Sequence, residues 1–218
     1  QFLVDAFQMA FKSFQISLQL KSACLLSTNA KTVRNSGNMT ALGQGVAVTL
    51  FSDGAATTRN TGELVAEAQT GQASGIAASS GTVTNNGTIR AESHGAGGVV
   101  YGIKGQGTSA IHNHNTIKAS AGGTNALACA VSSSTAHTVS NTGSLSANAS
   151  QTNGTATGIT LTKPATLRNT GPVTATAQQE ATGVHGRWRV QFTNNATISA
   201  TSRTDTACGV DLRDGALQ

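Results

Sequence analysis

The sequence predicts an all-β fold, a right-handed parallel β-helix (a solenoid) of about seven coils with a short N-terminal cap. The first observation behind this prediction is an asparagine that recurs at a nearly constant interval. The intervals are 25, 25, 28, 28, 28 and 25 residues, between Asn35, Asn60, Asn85, Asn113, Asn141, Asn169 and Asn194. The second is that apolar residues around each asparagine lie two apart, as in a strand with one buried face, and the third is the lack of a 3.6-residue helical period.

The first strand of each unit ends at the recurring asparagine. Two residues before it lies Thr58 in one unit and an apolar residue in the other six: Val33, Val83, Ile111, Val139, Leu167 and Phe192. The asparagine amides are expected to hydrogen bond from coil to coil, as stacked asparagine ladders do. Two residues after the asparagine we expect positive φ at the glycines of five units: Gly37, Gly62, Gly87, Gly143 and Gly171. Asn115 and Ala196 replace this glycine in the other two units.

The second strand carries an apolar residue four positions after the asparagine and an alanine six positions after it. The apolar residues are Met39, Leu64, Ile89, Ile117, Leu145, Val173 and Ile198, and the alanines are Ala41, Ala66, Ala91, Ala119, Ala147, Ala175 and Ala200. The third strand carries a small residue followed by Val48, Ile76, Ile103, Val131, Ile159, Val184 or Val210. Unit length varies mainly between the second and third strands, which predicts a loop there. Stacked about 4.8 Å apart, seven coils would form a rod roughly 34 Å long with the Ile and Ala columns inside.

Residues 1–32 differ from the repeats. Phe and Ala lie at helical spacing over residues 2–11, and apolar and polar residues alternate from Phe14 to Leu20, which indicates a short helix and then a strand. Because a solenoid needs its apolar end covered, we interpret 1–32 as an N-terminal cap. A degraded leader that starts at Met9 is the alternative. Residues 33–218 are then the β-helix repeats, with an incomplete last coil.

The composition argues against chemistry and for a scaffold. Charged residues make up only 11% of the 218 residues, and the net charge is +5. The sequence contains no run of about 18 apolar residues, the length needed to span a membrane. We therefore predict that the chain is not an enzyme, with no catalytic, cofactor-binding or metal-binding residues and no cofactor. Cys129 and Cys208 hold equivalent positions three coils apart, too far for a disulfide. Their alternation with Val131 and Val210 predicts that both line the core.

Two groups of acidic residues are candidates for a site. Glu63, Glu67 and Glu92 lie in neighbouring units, and Glu67 and Glu92 are nearly equivalent positions one coil apart. Paired carboxylates could bind calcium or catalyse glycoside cleavage, but a surface pair that compensates Arg90 is the simpler interpretation. The other group lies near the C-terminus and resembles a solvated rim: Asp205, Asp211 and Asp214, with Arg203 and Arg213 among them.

The basic side chains and histidines suggest a mildly basic face. Arg34, Arg59 and Arg168 share a column with His112, one residue before the asparagine. His112 and His114 lie on the same face, but no third metal ligand is near them in the repeat. More positive charge lies in the C-terminal units: Lys163, Arg187, Arg189 and Arg203. Such charge could attract sulfated or acidic glycans, whereas nucleic-acid binding is not expected because interleaved aromatics are missing.

An ice-binding surface is a weaker alternative for one outer face. Flat solenoids that bind ice present regular columns of threonine. Here the outward positions around the Ile column include Arg90, Lys118 and Pro172, which interrupt the threonines. A measurement of thermal hysteresis would decide this alternative.

Tandem N-x-G-x-(I/L)-x-A units followed by G-(I/V) resemble the passenger domains of bacterial autotransporters, which belong to the pectate-lyase-like β-helix class. The resemblance covers about residues 33–218. It implies secretion, an extracellular or bacterial cell-surface (outer-membrane) location, a part in virulence, and a C-terminal outer-membrane barrel in the full-length protein. This chain, which has no such barrel and no membrane span of its own, would be either a fragment of a longer passenger or a truncated open reading frame.

The expected function is a surface-displayed structural and adhesive segment, an adhesin. Its expected partner is a glycan or protein on a host or neighbouring cell, contacted by the variable loops near residues 93–100 and 151–155. The alternative is a carbohydrate-active β-helix, a polysaccharide lyase or glycosidase whose active site lies outside this chain or is only weakly represented in it.

Overall fold

The chain folds as a right-handed parallel β-helix of about seven coils, as predicted. The computed structural model describes residues 17–18, 25–28, 32–54, 57–135 and 138–213. All regular structure among these residues is β. Nowhere in these ranges does the chain form a helix long and apolar enough to cross a membrane.

Each coil contributes three strands, and the bounds of all described strands follow in chain order. They are β1 Ser17–Leu18, β2 Leu25–Thr28, β3 Thr32–Asn35, β4 Asn38–Gly43, β5 Val46–Asp53, β6 Thr57–Asn60, β7 Glu63–Ala68, β8 Gln72–Ala78, β9 Gly81–Asn85, β10 Thr88–Ser93, β11 Val99–Gly105, β12 Thr108–Asn113, β13 Ile117–Ala121, β14 Leu127–Ser133, β15 Thr138–Asn141, β16 Leu145–Ala149, β17 Thr155–Leu161, β18 Ala165–Asn169, β19 Val173–Ala177, β20 Glu180–Gly186, β21 Val190–Asn194, β22 Ile198–Ser202 and β23 Ala207–Leu212.

Corresponding strands of successive coils pair in parallel and build three sheets. The Asn sheet contains the strands that end at the asparagines, in the order β3-β6-β9-β12-β15-β18-β21. The Ala sheet contains the second strand of each unit, with both the Ile column and the Ala column, in the order β1-β4-β7-β10-β13-β16-β19-β22. The Ile sheet is named for the Ile or Val of the third strand and has the order β2-β5-β8-β11-β14-β17-β20-β23. The pairing aligns asparagine with asparagine and alanine with alanine, as in Asn60↔Asn85 and Ala66↔Ala91. The three strands predicted for each unit are therefore confirmed.

The core is a column of aliphatic side chains inside the tube. Leu64, Ile89 and Ile117 follow one another in the Ala sheet, and each is fully buried, with 0% of its surface exposed to solvent. Alanines two residues further along are equally buried. A unit this short cannot cover its own apolar face, so this burial depends on the coils above and below.

The prediction that Val48 occupies the core position of the third strand is wrong. Leu50, and not Val48, pairs with Ile76, while Val48 pairs with Ser74. Thr49 stands where later coils have glycine or alanine, so the small-residue signal that marks the third strand is displaced in this unit. Leu50 is fully buried.

The loop between the Ala sheet and the Ile sheet varies in length, as predicted. In the three units of 28 residues it comprises 94–98, 122–126 and 150–154, and it is shorter in the other four. The long loops stack on one another: Gly97 N donates to Thr124 O at 2.7 Å, and Asn125 N donates to Thr152 O at 2.9 Å. Together these loops form a ridge along one corner of the solenoid.

The glycines that follow the ladder asparagines do not have the positive φ predicted for them. A Cβ at Gly62 would overlap the carbonyl oxygen of Gly37, and a Cβ at Gly87 would overlap that of Gly62. Successive turns therefore pack backbone against backbone, and glycine is needed for this close approach rather than for a left-handed conformation. A repeat pattern alone does not distinguish these two reasons for a glycine.

The described part of the N-terminal region continues the solenoid. β1 pairs with Thr40 and Ala41 of β4, and β2 pairs with β5 from Leu50 to Asp53. β1 lies within the strand predicted from Phe14 to Leu20. The helix predicted over residues 2–11 lies outside the described residues, and the boundary at residue 32 and the cap or leader role remain predictions.

Candidate functional site

The recurring asparagines form a continuous hydrogen-bonded ladder along the rod. Each Nδ2 donates to the Oδ1 of the asparagine in the next coil, over distances between 2.7 and 2.9 Å. The six asparagines from Asn35 to Asn169 are at most 6% exposed, and Asn194 at the end is exposed. The predicted ladder is confirmed.

Several of the ladder amides also donate to a backbone carbonyl oxygen. Asn60 Nδ2 also donates to Gly62 O at 3.0 Å, and Asn113 Nδ2 also donates to Asn115 O at 2.7 Å. Both donors of these amides are thus used inside the protein. The ladder thus holds successive coils together and fixes the turns that follow these asparagines.

The carboxylates considered as a catalytic or calcium pair lie in register, but each has a cationic or imidazole partner. Glu67 pairs with Glu92 across the Ala sheet, as predicted. Glu92 accepts a hydrogen bond from Arg90 Nε at 2.8 Å, so one of the two carboxylates compensates Arg90 as predicted. Glu67 lies 3.0 Å from His94 Nε2. Glu63 is exposed at the start of β7.

The two C-terminal acidic residues that the structure describes, Asp205 and Asp211, lie near opposite ends of β23 and have different partners. Asp205 lies in the loop before β23, where its carboxylate accepts a hydrogen bond from Thr206, and Asp214 lies outside the described residues. Asp211 lies 3.0 Å from His185 Nδ1 and 3.3 Å from Arg213 Nη2. Burial opposes ionisation of Asp211, but the hydrogen bonds from Arg213 and His185 outweigh it and lower its pKa.

The basic column predicted on the Asn sheet is present. Its members follow one another in register: Arg34, Arg59, Thr84, His112, Ser140, Arg168 and Thr193. The rings of His112 and His114 stack with centroids 6.4 Å apart, and burial together with the nearby His114 lowers the pKa of His112. Across the described ranges, no three His, Cys, Asp or Glu side chains group closely enough to hold a metal ion.

Cys129 is buried, but it does not line the core as predicted and lies on the opposite side of its strand. The register of β14 with β17 pairs Cys129 with Thr157 and Val131 with Ile159, and Ala130 between them belongs to the core together with Val131. Strict alternation therefore fails here. The Cys129 thiol lies 3.5 Å from Thr160 Oγ1, away from the aliphatic core cluster. Cys208 is half-buried, and neither of these two cysteines is in a disulfide.

The two described cysteines should differ strongly in reactivity. Burial raises the pKa of Cys129 to about 11, so the reactive thiolate is scarce near neutral pH. In a Cys24→Ser variant at about pH 8, Ellman's reagent should label Cys208 first and Cys129 at least about a hundredfold more slowly. Denaturant should equalise the two rates. Equal rates in the native protein would contradict the burial of Cys129.

A feature that sequence reasoning overlooked is the turn between β20 and β21. It contains Trp188, which is 54% exposed and is the one tryptophan of the chain. Arg187 and Arg189 on either side are exposed as well. The sequence signal was available, because a lone tryptophan between two arginines stands out in a chain with 4% aromatic residues.

These features define a class of protein: a β-solenoid scaffold with an aliphatic interior, an internal asparagine ladder and a weakly charged outer surface. No family model, curated protein or solved structure matches the chain.

Proposed function

We propose that this chain is a surface-displayed adhesive rod, a segment of an autotransporter-like passenger that contacts a host or neighbouring cell and performs no chemistry. One observation carries the proposal. The residues that repeat from unit to unit are buried in the core or in the asparagine ladder, whereas the outer surface differs from coil to coil. Such an arrangement separates a rigid support from a variable contact surface.

The carboxylates support a non-catalytic function. A glycosidase needs two carboxyl groups that converge on the substrate, and a calcium-dependent lyase needs carboxylates that converge on the ion. Glu67, Glu92 and Asp211 instead pair with neighbouring His or Arg side chains on the surface. Surface pairs of this kind contribute little to stability and are common on solvated faces.

The outer loops support contact with a partner. Residues 94–98, 122–126 and 150–154 project from the same corner of three successive coils, and their backbones bond to one another. Functional contacts are frequent on loops that a rigid scaffold positions. The ladder and the core hold these loops in place without taking part in the contact themselves.

Adherence of coated beads tests the proposal. Beads that carry the purified chain should adhere to bacterial or animal cells more than albumin-coated beads do, and free protein should compete in a saturable manner. The same protein should leave pectin, alginate and chondroitin sulfate undegraded when reducing ends are measured. Depolymerisation without adherence would contradict the adhesive function and favour the carbohydrate-active alternative.

A further inference from the structure

The turn at residues 187–189 lies in the middle of a basic corner formed by three coils. Leu161 pairs with Gly186, and Ala165 pairs with Val190, so turn 162–164 stacks directly against turn 187–189. Lys163, at the centre of the first turn, therefore lies next to Trp188, at the centre of the second, about 4.8 Å along the rod.

The next coil extends this corner. Arg213 N donates a hydrogen bond to Gly186 O at 2.8 Å, which places Arg213 directly after Arg187 in the stack. We name this surface the Trp corner, and its members are Lys163, Arg187, Trp188, Arg189 and Arg213. It runs along the rod axis and is therefore elongated rather than a closed pocket.

Within the part of the chain that the structure describes, most of the cations of the Trp corner have no ion-pair partner. Arg213 is bound to Asp211 at 3.3 Å. None of the ion pairs formed within the described residues involves Lys163, Arg187 or Arg189. These side chains are exposed, so an external anion can reach them.

We propose that the Trp corner binds a linear anionic polysaccharide with sulfate or uronate groups. This polysaccharide would be the partner in the adhesive function proposed above, on which the assignment rests. The indole face would stack on the apolar C–H face of a sugar ring, and the guanidinium groups would bind sulfate or carboxylate in bidentate fashion. The elongated array of cations along the rod matches the regular negative charges of a polymer.

Other polyanions fit this surface less well. Proteins that hold single-stranded nucleic acid stack successive bases on several aromatic side chains, and this corner has one. Binding to a lipid surface requires a broad apolar face beside the cations, and Trp188 is the one apolar side chain exposed in this turn.

The single tryptophan makes binding directly measurable. Titration of the full chain with heparin or polygalacturonate should change the emission of Trp188, whereas neutral dextran should not. Raising the salt from about 0.05 M to about 0.5 M should weaken binding at least tenfold, because the charges are exposed and screened. Trp188→Ala should weaken binding about tenfold or more in calorimetry, since exposed tryptophans at contact sites contribute much of the affinity.

A matched pair of variants separates site-specific binding from general charge attraction. Arg187→Ala with Arg189→Ala removes two positive charges from the Trp corner and should reduce affinity about tenfold. Arg34→Ala with Arg59→Ala removes the same charge from the exposed column on the Asn sheet and should change affinity less than about twofold. All these side chains are exposed, so the melting temperatures should stay close to that of the parent protein.

Several outcomes would overturn the inference. Equal weakening by the two double variants would mean binding by net charge alone. Tighter binding to phosphatidylglycerol vesicles or to oligo-dT than to either polysaccharide would replace the polysaccharide with another partner. If Trp188→Ala beads lose polysaccharide binding but adhere to cells normally, the partner assignment is wrong and adhesion stands. If parent beads bind polysaccharide through Trp188 but do not adhere to cells, the adhesive function is wrong.

Discussion

Asn113→Ala is expected to lower the free energy of unfolding by about 3–5 kcal/mol. The substitution removes hydrogen bonds of 2.8 Å from Asn85, 2.8 Å to Asn141 and 2.7 Å to Asn115. It also leaves the Asn85 amide and the Asn141 oxygen buried without the partner they had, and each such orphaned group costs about 1–3 kcal/mol. Chemical denaturation followed by far-ultraviolet circular dichroism measures the loss.

The end of the ladder provides the matched control. Asn194 is exposed, so water can replace its partners, and Asn194→Ala should cost less than about 1 kcal/mol. Asn113→Asp keeps an acceptor but removes the donor to Asn141, and it should be at least as harmful as alanine because it buries a charge. Equal, small effects of Asn113→Ala and Asn194→Ala would show that the ladder does not stabilise the stack.

Ile89→Ala is expected to cost about 2–5 kcal/mol, because it empties a fully buried position of the aliphatic column. Gly75→Ala is expected to cost about 1–3 kcal/mol, because the added Cβ would overlap Ile89 Cγ2 and lie 2.8 Å from Gly102 O. In the double variant the new methyl group partly fills the space left by Ile89. Its cost should therefore fall below the sum of the single costs by at least about 1 kcal/mol, as measured by a double-mutant cycle in denaturant.

Gly45 supplies the control for this coupling. A Cβ at Gly45 would meet nothing within 4 Å, so Gly45→Ala should be close to neutral and should add to Ile89→Ala within about 0.5 kcal/mol. Additive costs for Gly75→Ala and Ile89→Ala would contradict the close contact between the Ile sheet and the next coil of the Ala sheet.

Much of the architecture was predictable because the same pattern recurs seven times. The register of Asn60 with Asn85 and the buried column that includes Ile117 follow from periodicity alone, since identical units pair most simply in equivalent positions. The approximate equivalence of Glu67 and Glu92 followed for the same reason.

The errors fell where one unit departs from the pattern or where neighbouring coils touch. Thr49 replaces the small residue that marks the core position in other units, so Leu50 was not predicted there. Ala130 breaks the alternation of inward and outward side chains, so Cys129 lies on the side of its strand opposite to the one predicted. Positive φ was predicted at Gly87, but the true requirement is the adjacent carbonyl of Gly62. A single unit contains no information about how closely the next unit approaches.

Periodicity in the chain was thus sufficient for the fold class, the three strands of each coil and the asparagine ladder, because these depend on residues that repeat. The Trp corner required the folded molecule. Lys163 and Trp188 lie 25 residues apart in the chain, and they become neighbours because the turns of successive coils stack in register. On the outer surface, the contacts between coils join residues that differ from unit to unit, so this surface depends on the stacking and not on the repeat alone.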